Sequence, residues 1–408
     1  MGRFIIATFI IVFLVGPAYP MTVEEAVQCA LTHNPDLQVL RLDEDTALGQ
    51  VEKARLLLID NPTIDGNIAR KDRADDDNGS PFTNFGFKLS QEFEVAGQRS
   101  SRISVAECEL ARARAGIKDR ERLLIANTKD AFTKVLALRR KDELARGILQ
   151  LKEELHGYTK IKFQAGEISS LDVNLSAVEL SKAKRELLLL GREYREALLV
   201  LQGVLGLAPD KSFVVQGDLP SESPVLPDKE ALKTILQQRP DVRATLFEIE
   251  KTQSAKDLVQ KGVIPNVTLS GFYDRDERRN VVGMEVSLPL PFFDRRQAER
   301  REAQAKAREA KIKSAGLIKT IEREIELAFS DLTSAVEELT LFEKEIIAKA
   351  RENLNLLNLA FKEGKVGFFE VQLAQKDTIE AQFAYIDAQM RTQLALNAIE
   401  KTAGGALK

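Results

Sequence analysis

The chain is 408 residues long, with 59 basic and 62 acidic side chains, a net charge of −3 and no tryptophan. Both signs of charge are mixed throughout, which leaves no basic field to attract nucleic acid. Charged residues make up 30% and aromatics 6%, and Ala, Leu, Glu, Lys and Arg dominate, a bias of long helices rather than ordinary globular domains.

Residues 1–18 read as a secretory signal peptide: Arg3 precedes the apolar run Phe4–Val15, and Gly16-Pro17-Ala18 follows. The run is too short for a spanning helix, which needs about 20 apolar residues. Cleavage is expected after Ala18, with no cysteine there to accept lipid, and the mature chain is expected to be exported. Cys29 and Cys108 then enter an oxidising compartment without motif spacing, and isolated, buried thiols are expected.

Proline placement sets the organisation that follows. Residues 82–208 and 292–408 contain none, and proline breaks helix interiors. In the first gap Ile103, Ala106, Leu110, Ala113 and Ile117 step by threes and fours, and Leu124, Ala131, Val135, Leu138, Ala145 and Leu149 keep the frame. In the second, Ala303, Ala307, Ala310, Leu317 and Ile321 run into Ile325, Ala328, Leu332, Ala335, Leu339, Phe342 and Ile346. These heptad-like seams predict helices of roughly 90 Å over 99–160 and roughly 100 Å over 295–360. Rods that long must pack against other rods.

The chain also repeats itself. "EEAVQCALTHNPDLQ" near the start resembles "KEALKTILQQRPDVR" at 229–243, "NPTIDG" resembles "IPNVTLSG", and "FQAGEISSLDV" at 163–173 returns as "FKEGKVGFFEV" at 361–371. The spacing predicts a signal peptide over 1–18 and a first repeat over 19–206. That repeat holds a strand pair near 62–95, a long helix near 97–162 and a shorter one near 169–205. A linker over 207–228 leads to a second repeat over 229–403, with a strand pair near 265–290, a long helix near 294–362 and a shorter helix near 368–402; residues 404–408 form a tail.

In "FTNFGFKLSQEFEV", Phe85, Phe87, Leu89, Phe93 and Val95 point one way, and Asn84, Lys88, Ser90, Glu92 and Glu94 the other. In "NVVGMEVSLPL", Val282, Met284, Val286, Leu288 and Leu290 alternate with Gly283, Glu285, Ser287 and Pro289. This is the pattern of membrane β-barrel strands, and it suits a soluble sheet packed on helices as well. Four strands do not close a membrane barrel, which has at least about eight, and lipid tolerates no open edge. Membrane strands here would therefore require a shared barrel, eight-stranded in a dimer or twelve-stranded in a trimer.

The helix breaks have a local explanation. Gly166 and Gly364 suit a positive φ that ends the incoming helix. Ser169 three residues before Asp172 is a capping signature for the outgoing one, and Gly367 with Glu370 repeats the spacing. His33 and His156 stand apart, and neither joins a metal or catalytic pair. No GxGxxG, Walker-type loop, HExxH or CxxC occurs, so no catalytic residue, cofactor or metal site is expected, and the chain does not read as an enzyme.

Across essentially the whole mature chain, the opening "TVEEAVQCALTHNPDL", the junctions "EFEVAGQRSSR" and "LPLPFFDRRQAE", the two breaks and the duplication resemble the TolC outer-membrane efflux family. The first junction is most similar to the outer-membrane components of heavy-metal cation efflux systems. The resemblance implies a mostly α fold with a small membrane β part. Tandem helical hairpins would form a trimeric α-barrel topped by a twelve-stranded β-barrel, four strands per protomer, with most of the chain periplasmic. It implies a homotrimer partnered by a periplasmic adaptor and an inner-membrane pump of the resistance–nodulation type, and passive export, with heavy-metal cations the leading cargo.

On this resemblance Phe85, Phe87, Leu89, Phe93, Val282, Met284, Val286 and Leu288 face outer-membrane lipid. Asp172 and Glu370 ring a periplasmic gate, and Gly166, Ser169, Gly364, Val366 and Gly367 form the tip that docks the adaptor. Val366 stands where some relatives carry a latching arginine, and Leu373 where some carry a second acid. Multidrug efflux and type I secretion use ducts of the same design. A periplasmic adaptor or coiled-coil scaffold is the reading without transport, opposed by the tandem hairpins and the strand alternation.

Overall fold

The computed structural model describes residues 19–71, 82–209, 211, 213–220, 223–224, 226–229, 236–276, 279–363, 365–366 and 368–404. The signal segment, the charged loop over 73–81, and Gly364 and Gly367 lie outside them. The described residues fall into two compact units, one drawn from 1–35, 123–227 and 327–401, the other from 36–122, 228–326 and 402–408. No described helix is long and apolar enough to cross a membrane.

The first repeat runs through β1 (Tyr19–Met21), α1 (Val23–His33), α2 (Pro35–Arg55), β2 (Thr63–Lys71), β3 (Phe82–Phe93), α3 (Gln98–Gln164) and α4 (Ser170–Leu205). After β4 (Phe213–Val215) the second repeat supplies α5 (Pro240–Lys261), β5 (Val267–Asp276), β6 (Arg279–Ser287), α6 (Gln297–Leu341), α7 (Ile347–Lys362) and α8 (Phe368–Ala403). A five-residue π-helical turn, Phe342–Ile346, joins α6 to α7. The second long helix is therefore interrupted, whereas α3 runs for 67 residues without a break. β1 and β4 make a small parallel pair that the linker's composition did not suggest.

The seams are where the spacing puts them. Ala106, Leu110, Ile117, Leu124, Ala131, Val135 and Ala145 are buried on α3; Ile321, Ile325, Leu332 and Leu339 are almost completely buried on α6. In the second unit Ala47, Val51 and Ala54 of α2 cluster with Ala106 and Leu110 of α3. Small alanines let these helices approach closely, and each fully buried leucine or isoleucine contributes roughly 1.5–3 kcal/mol.

The duplication is also visible at the residues that close each repeat. Asn34, before Pro35, donates its side-chain amide to Val204 O at 3.1 Å, near the end of α4. Arg239, before Pro240, donates its guanidinium to Thr402 O at 2.8 Å, near the end of α8. Each of those helices is followed by a glycine of positive φ, Gly206 at 71° and Gly404 at 91°. A Cβ on Gly206 would collide with the His33 carbonyl, so only glycine fits there.

Both thiols are free and half-buried, not buried as the sequence suggested. Burial is the main cause that pushes both upward from the ordinary thiol range. Cys29 is not isolated either: its Sγ lies 3.8 Å from His33 Nδ1, one helical turn on. His156, expected to stand apart, is half-buried with Nδ1 2.8 Å from Ser176 Oγ.

Candidate functional site

The four longer strands form one antiparallel sheet in the order β2-β3-β5-β6. In-register pairs place Ile64 beside Leu89, Ile68 beside Phe85, Phe87 beside Tyr273, Tyr273 beside Val282 and Leu269 beside Val286. Directly paired residues share a face, so one face carries Ile64, Ile68, Phe85, Phe87, Leu89, Phe93, Leu269, Tyr273, Val282, Met284 and Val286. Most are open to the surroundings, with Ile68 82%, Val282 78% and Met284 75% exposed. Leu288, expected on this strand, lies just past it, because β6 ends at Ser287.

The opposite face is polar. Lys88 Nζ lies 2.8 Å from Glu285 Oε2, Asn84 donates to Asp276 at 2.7 Å, and Ser270 bonds Ser90 at 2.9 Å. Within the described sheet β2 and β6 each pair on one side only. A sheet with one apolar face, one hydrated face and two open edges is the building block of a barrel closed by further copies.

Both strand-to-helix junctions use one device. Gly97 has φ 73°, and Gln98 Oε1 accepts from Ala96 N at 2.7 Å. In the second repeat Arg296 takes the same conformation at φ 54°, and Gln297 Oε1 accepts from Arg295 N at 2.8 Å. Arg296 is the one described non-glycine residue with positive φ, a conformation that costs roughly 1–2 kcal/mol.

At the first hairpin turn Gly166 has φ 75°. Its N–H donates to Phe163 O at 3.0 Å and that of Glu167 to Lys162 O at 3.0 Å, the paired bonds of a Schellman motif. Ser169 then caps α4: its Oγ accepts from Asp172 N at 3.3 Å, while Asp172 Oδ2 accepts from Ser169 N at 3.0 Å and Ser169 Oγ at 2.7 Å. Lys162 braces the turn, 3.3 Å from Glu167 Oε2 and 5.2 Å from the Tyr158 ring centre. At the second turn Lys365 N donates to Ala360 O at 2.9 Å, the same six-residue closure. Val366 is half-buried there, and Glu370 is exposed in the first turn of α8. Among the described residues no hydrogen bond or ion pair joins Asp172 to Glu370.

Two features near the turns had no sequence signal. A cavity of about 360 Å³ opens beside Asp172, lined by Leu155, Tyr158, Thr159, Lys162, Ile168 and Ser169 among others. Farther up α3, Lys152 is only 5% exposed and donates to Gln372 and Gln375 of α8 at 2.9 and 3.1 Å. Burial holds its ammonium below the ordinary lysine range. A lysine among many charged helix residues does not announce that it is buried. No group of three or more His, Cys, Asp or Glu side chains that would hold a metal occurs among the described residues.

Strands of this alternation joined to paired long helices define the class: an outer-membrane channel subunit, whose work is passage rather than chemistry. The family model "Outer membrane efflux protein" matches residues 26–207 and 231–405, and the chain belongs to that family. It is 26% identical over 392 residues to the cobalt-zinc-cadmium resistance protein CzcC of Cupriavidus metallidurans, covering 95% of this chain and 91% of the relative. It is 22% identical to the pyoverdine export outer membrane protein OpmQ of Pseudomonas aeruginosa, covering 94% and 85%. Among solved structures, the outer-membrane channel OprN matches with a TM-score of 0.79 at 21% identity, over 94% of this chain and 90% of its own. The chain is thus an outer-membrane efflux channel component and not an enzyme, with its helical part mostly periplasmic. Channels of this family are homotrimers that work with periplasmic adaptors and inner-membrane pumps.

Proposed function

We propose that three copies of this chain close a twelve-stranded barrel and serve as the exit duct for divalent heavy-metal cations. A periplasmic adaptor and a resistance–nodulation type pump would deliver them. One observation carries the assembly: a four-stranded sheet with an apolar face, a polar face and an open edge on each side. The apolar stripes through Phe87 and Met284 face lipid, and the Lys88–Glu285 face lines water. The cargo reading rests on the similarity to the cobalt-zinc-cadmium resistance protein. A duct needs little affinity for what passes, since tight binding slows release.

The hairpin turns are the periplasmic end. Asp172 and Glu370, three copies of each, make an acidic ring that favours cations, and the surface around Gly166, Ser169, Val366 and the two glycines of the second turn docks the adaptor. Capping and gating coexist at Asp172, because Ser169 engages one carboxylate oxygen, Oδ2.

Resistance of cells lacking the chain tests the cargo. Loss of tolerance to Co²⁺, Zn²⁺ or Cd²⁺, restored by the intact chain, is the expected result. Unchanged tolerance to all three, together with lost export of pyoverdine, would instead support the second reading, which the similarity to the pyoverdine exporter favours.

A further inference from the structure

Glycine inside a strand weakens it, and often marks a place that another group approaches closely. The described sheet has four such glycines, Gly66, Gly86, Gly271 and Gly283, none of positive φ. Its two faces treat them differently. On the apolar face Gly271 meets no atom within 4 Å, and Gly66 meets the Phe87 ring no closer than 3.7 Å. On the polar face a Cβ on Gly283 would stand 2.7 Å from Phe272 Cε1 and nearer still to its Cζ. A Cβ on Gly86 would collide with Asp274 Oδ1 and Asn67 Oδ1. The register supplies these neighbours, since Phe272 pairs directly with Gly283, and Gly86 with both Asn67 and Asp274.

The far end of the Phe272 ring is what covers Gly283, so the ring lies across β6 instead of standing off the sheet. Lys88 lies down in the same way. Its ammonium reaches Glu285 at 2.8 Å although β5 runs between their strands, and it passes Ser270, the partner of Glu285 and only 2% exposed. An aromatic ring on a glycine also steadies a strand pair, but that leaves Gly86 unexplained, because polar oxygens lie over it. Flatness is what the two glycines share. Twelve strands about 4.8 Å apart and tilted by about 40° enclose a backbone cylinder about 24 Å across. Rings standing inward from three copies would take much of that width, whereas rings laid on glycine take little.

We propose that Gly283 and Gly86 set the bore of the barrel by bedding Phe272, Asn67 and Asp274 against its wall, and that Phe272 decides the size limit for what passes. The inference rests on the reading that this face lines water. Ser287→Cys places a thiol on the same face, exposed and nearer α6 than Phe272. The full-length chain, with Cys29→Ser and Cys108→Ser, is reacted on intact cells with a small membrane-impermeant maleimide and with one carried on a polyethylene glycol chain. Gly283→Ala is expected to slow the polymer-borne reagent several-fold and leave the small one unchanged, because the added methyl lifts the ring off the wall. Phe272→Ala is expected to leave both rates at the parent value and, added to Gly283→Ala, to restore the slowed one. A polymer rate unchanged by Gly283→Ala in assembled protein overturns the proposal. So does a faster polymer rate in Phe272→Ala alone, since the ring would then already stand in the bore; that variant is decisive if Gly283→Ala does not assemble. Reaction of neither reagent with Ser287→Cys in the parent removes the water-lined face itself, a failure distinct from equal rates across the variants.

Discussion

Ser169 and Asp172 share one capping box but carry separable roles. Asp172→Asn keeps an oxygen acceptor for the Ser169 N–H and removes the charge, so it is expected to lower cation selectivity in single-channel recordings while unfolding at the parent temperature. Ser169→Ala is expected to do the reverse, costing about 1 kcal/mol of helix stability with selectivity intact. A drop in stability in Asp172→Asn without a change in selectivity would reduce that carboxylate to a cap. Glycines differ in the same way. Gly166→Ala meets no atom within 4 Å and loses only the ease of positive φ, whereas Gly206→Ala also drives a methyl into the His33 backbone. Thermal unfolding should therefore rank Gly206→Ala as the more damaging. Glu109 supplies a pH dependence. Arg112 holds it through two hydrogen bonds, at 2.5 and 3.0 Å, and Lys251 adds a third at 3.0 Å. Together they lower its pKa from 4.5 to about 2 against the opposing effect of burial. A depressed carboxylate stabilises the fold above its unfolded pKa and loses that contribution as pH falls through the folded one. The stability gap between the parent and Glu109→Gln should accordingly be full above about pH 4.5 and close toward pH 2.

The two faces of the strands make opposite predictions for charge. Met284→Arg puts a cation on the apolar face, where midplane cost is about 2–4 kcal/mol, and folded protein in isolated outer membranes should fall sharply. Glu285→Gln, on the adjacent polar face, loses one ion pair to Lys88 and should insert normally; equal loss in both variants would contradict the assignment of faces. The alternation of Phe85, Phe87, Leu89 and of Val282, Met284, Val286 was legible because a strand's two faces are written directly in its parity. The helix seams were legible for the same reason, since Leu332 and Leu339 are buried by a period that sequence displays. The end of β6 was not, because Leu288 continues the alternation past Ser287, the last residue of the strand. Nor was the π-turn at Phe342–Ile346, where the seam step from Phe342 to Ile346 reads as ordinary helix. Ser223 Oγ lies 2.9 Å from Thr340 Oγ1 and 3.3 Å from Glu343 Oε2 at that turn, a contact from the linker 117 and 120 residues away in sequence. Lys152 and the Cys29–His33 and His156–Ser176 contacts likewise depend on neighbours or rotamers that no local pattern encodes.

For the whole molecule, duplication and assembly are one argument. Each repeat contributes two strands to the four-stranded sheet and one helical hairpin, each is closed by a residue before proline tied near the end of its last helix, and the four described strands are too few to close in lipid. The account therefore requires a defined number of copies. Native mass spectrometry of the protein extracted from outer membranes in detergent counts them directly. Three copies would match a closed barrel of twelve strands, and the subunit mass would place the processed N-terminus. A monomer recovered without detergent would contradict the membrane channel at its foundation, and a dimer would contradict the twelve-stranded barrel.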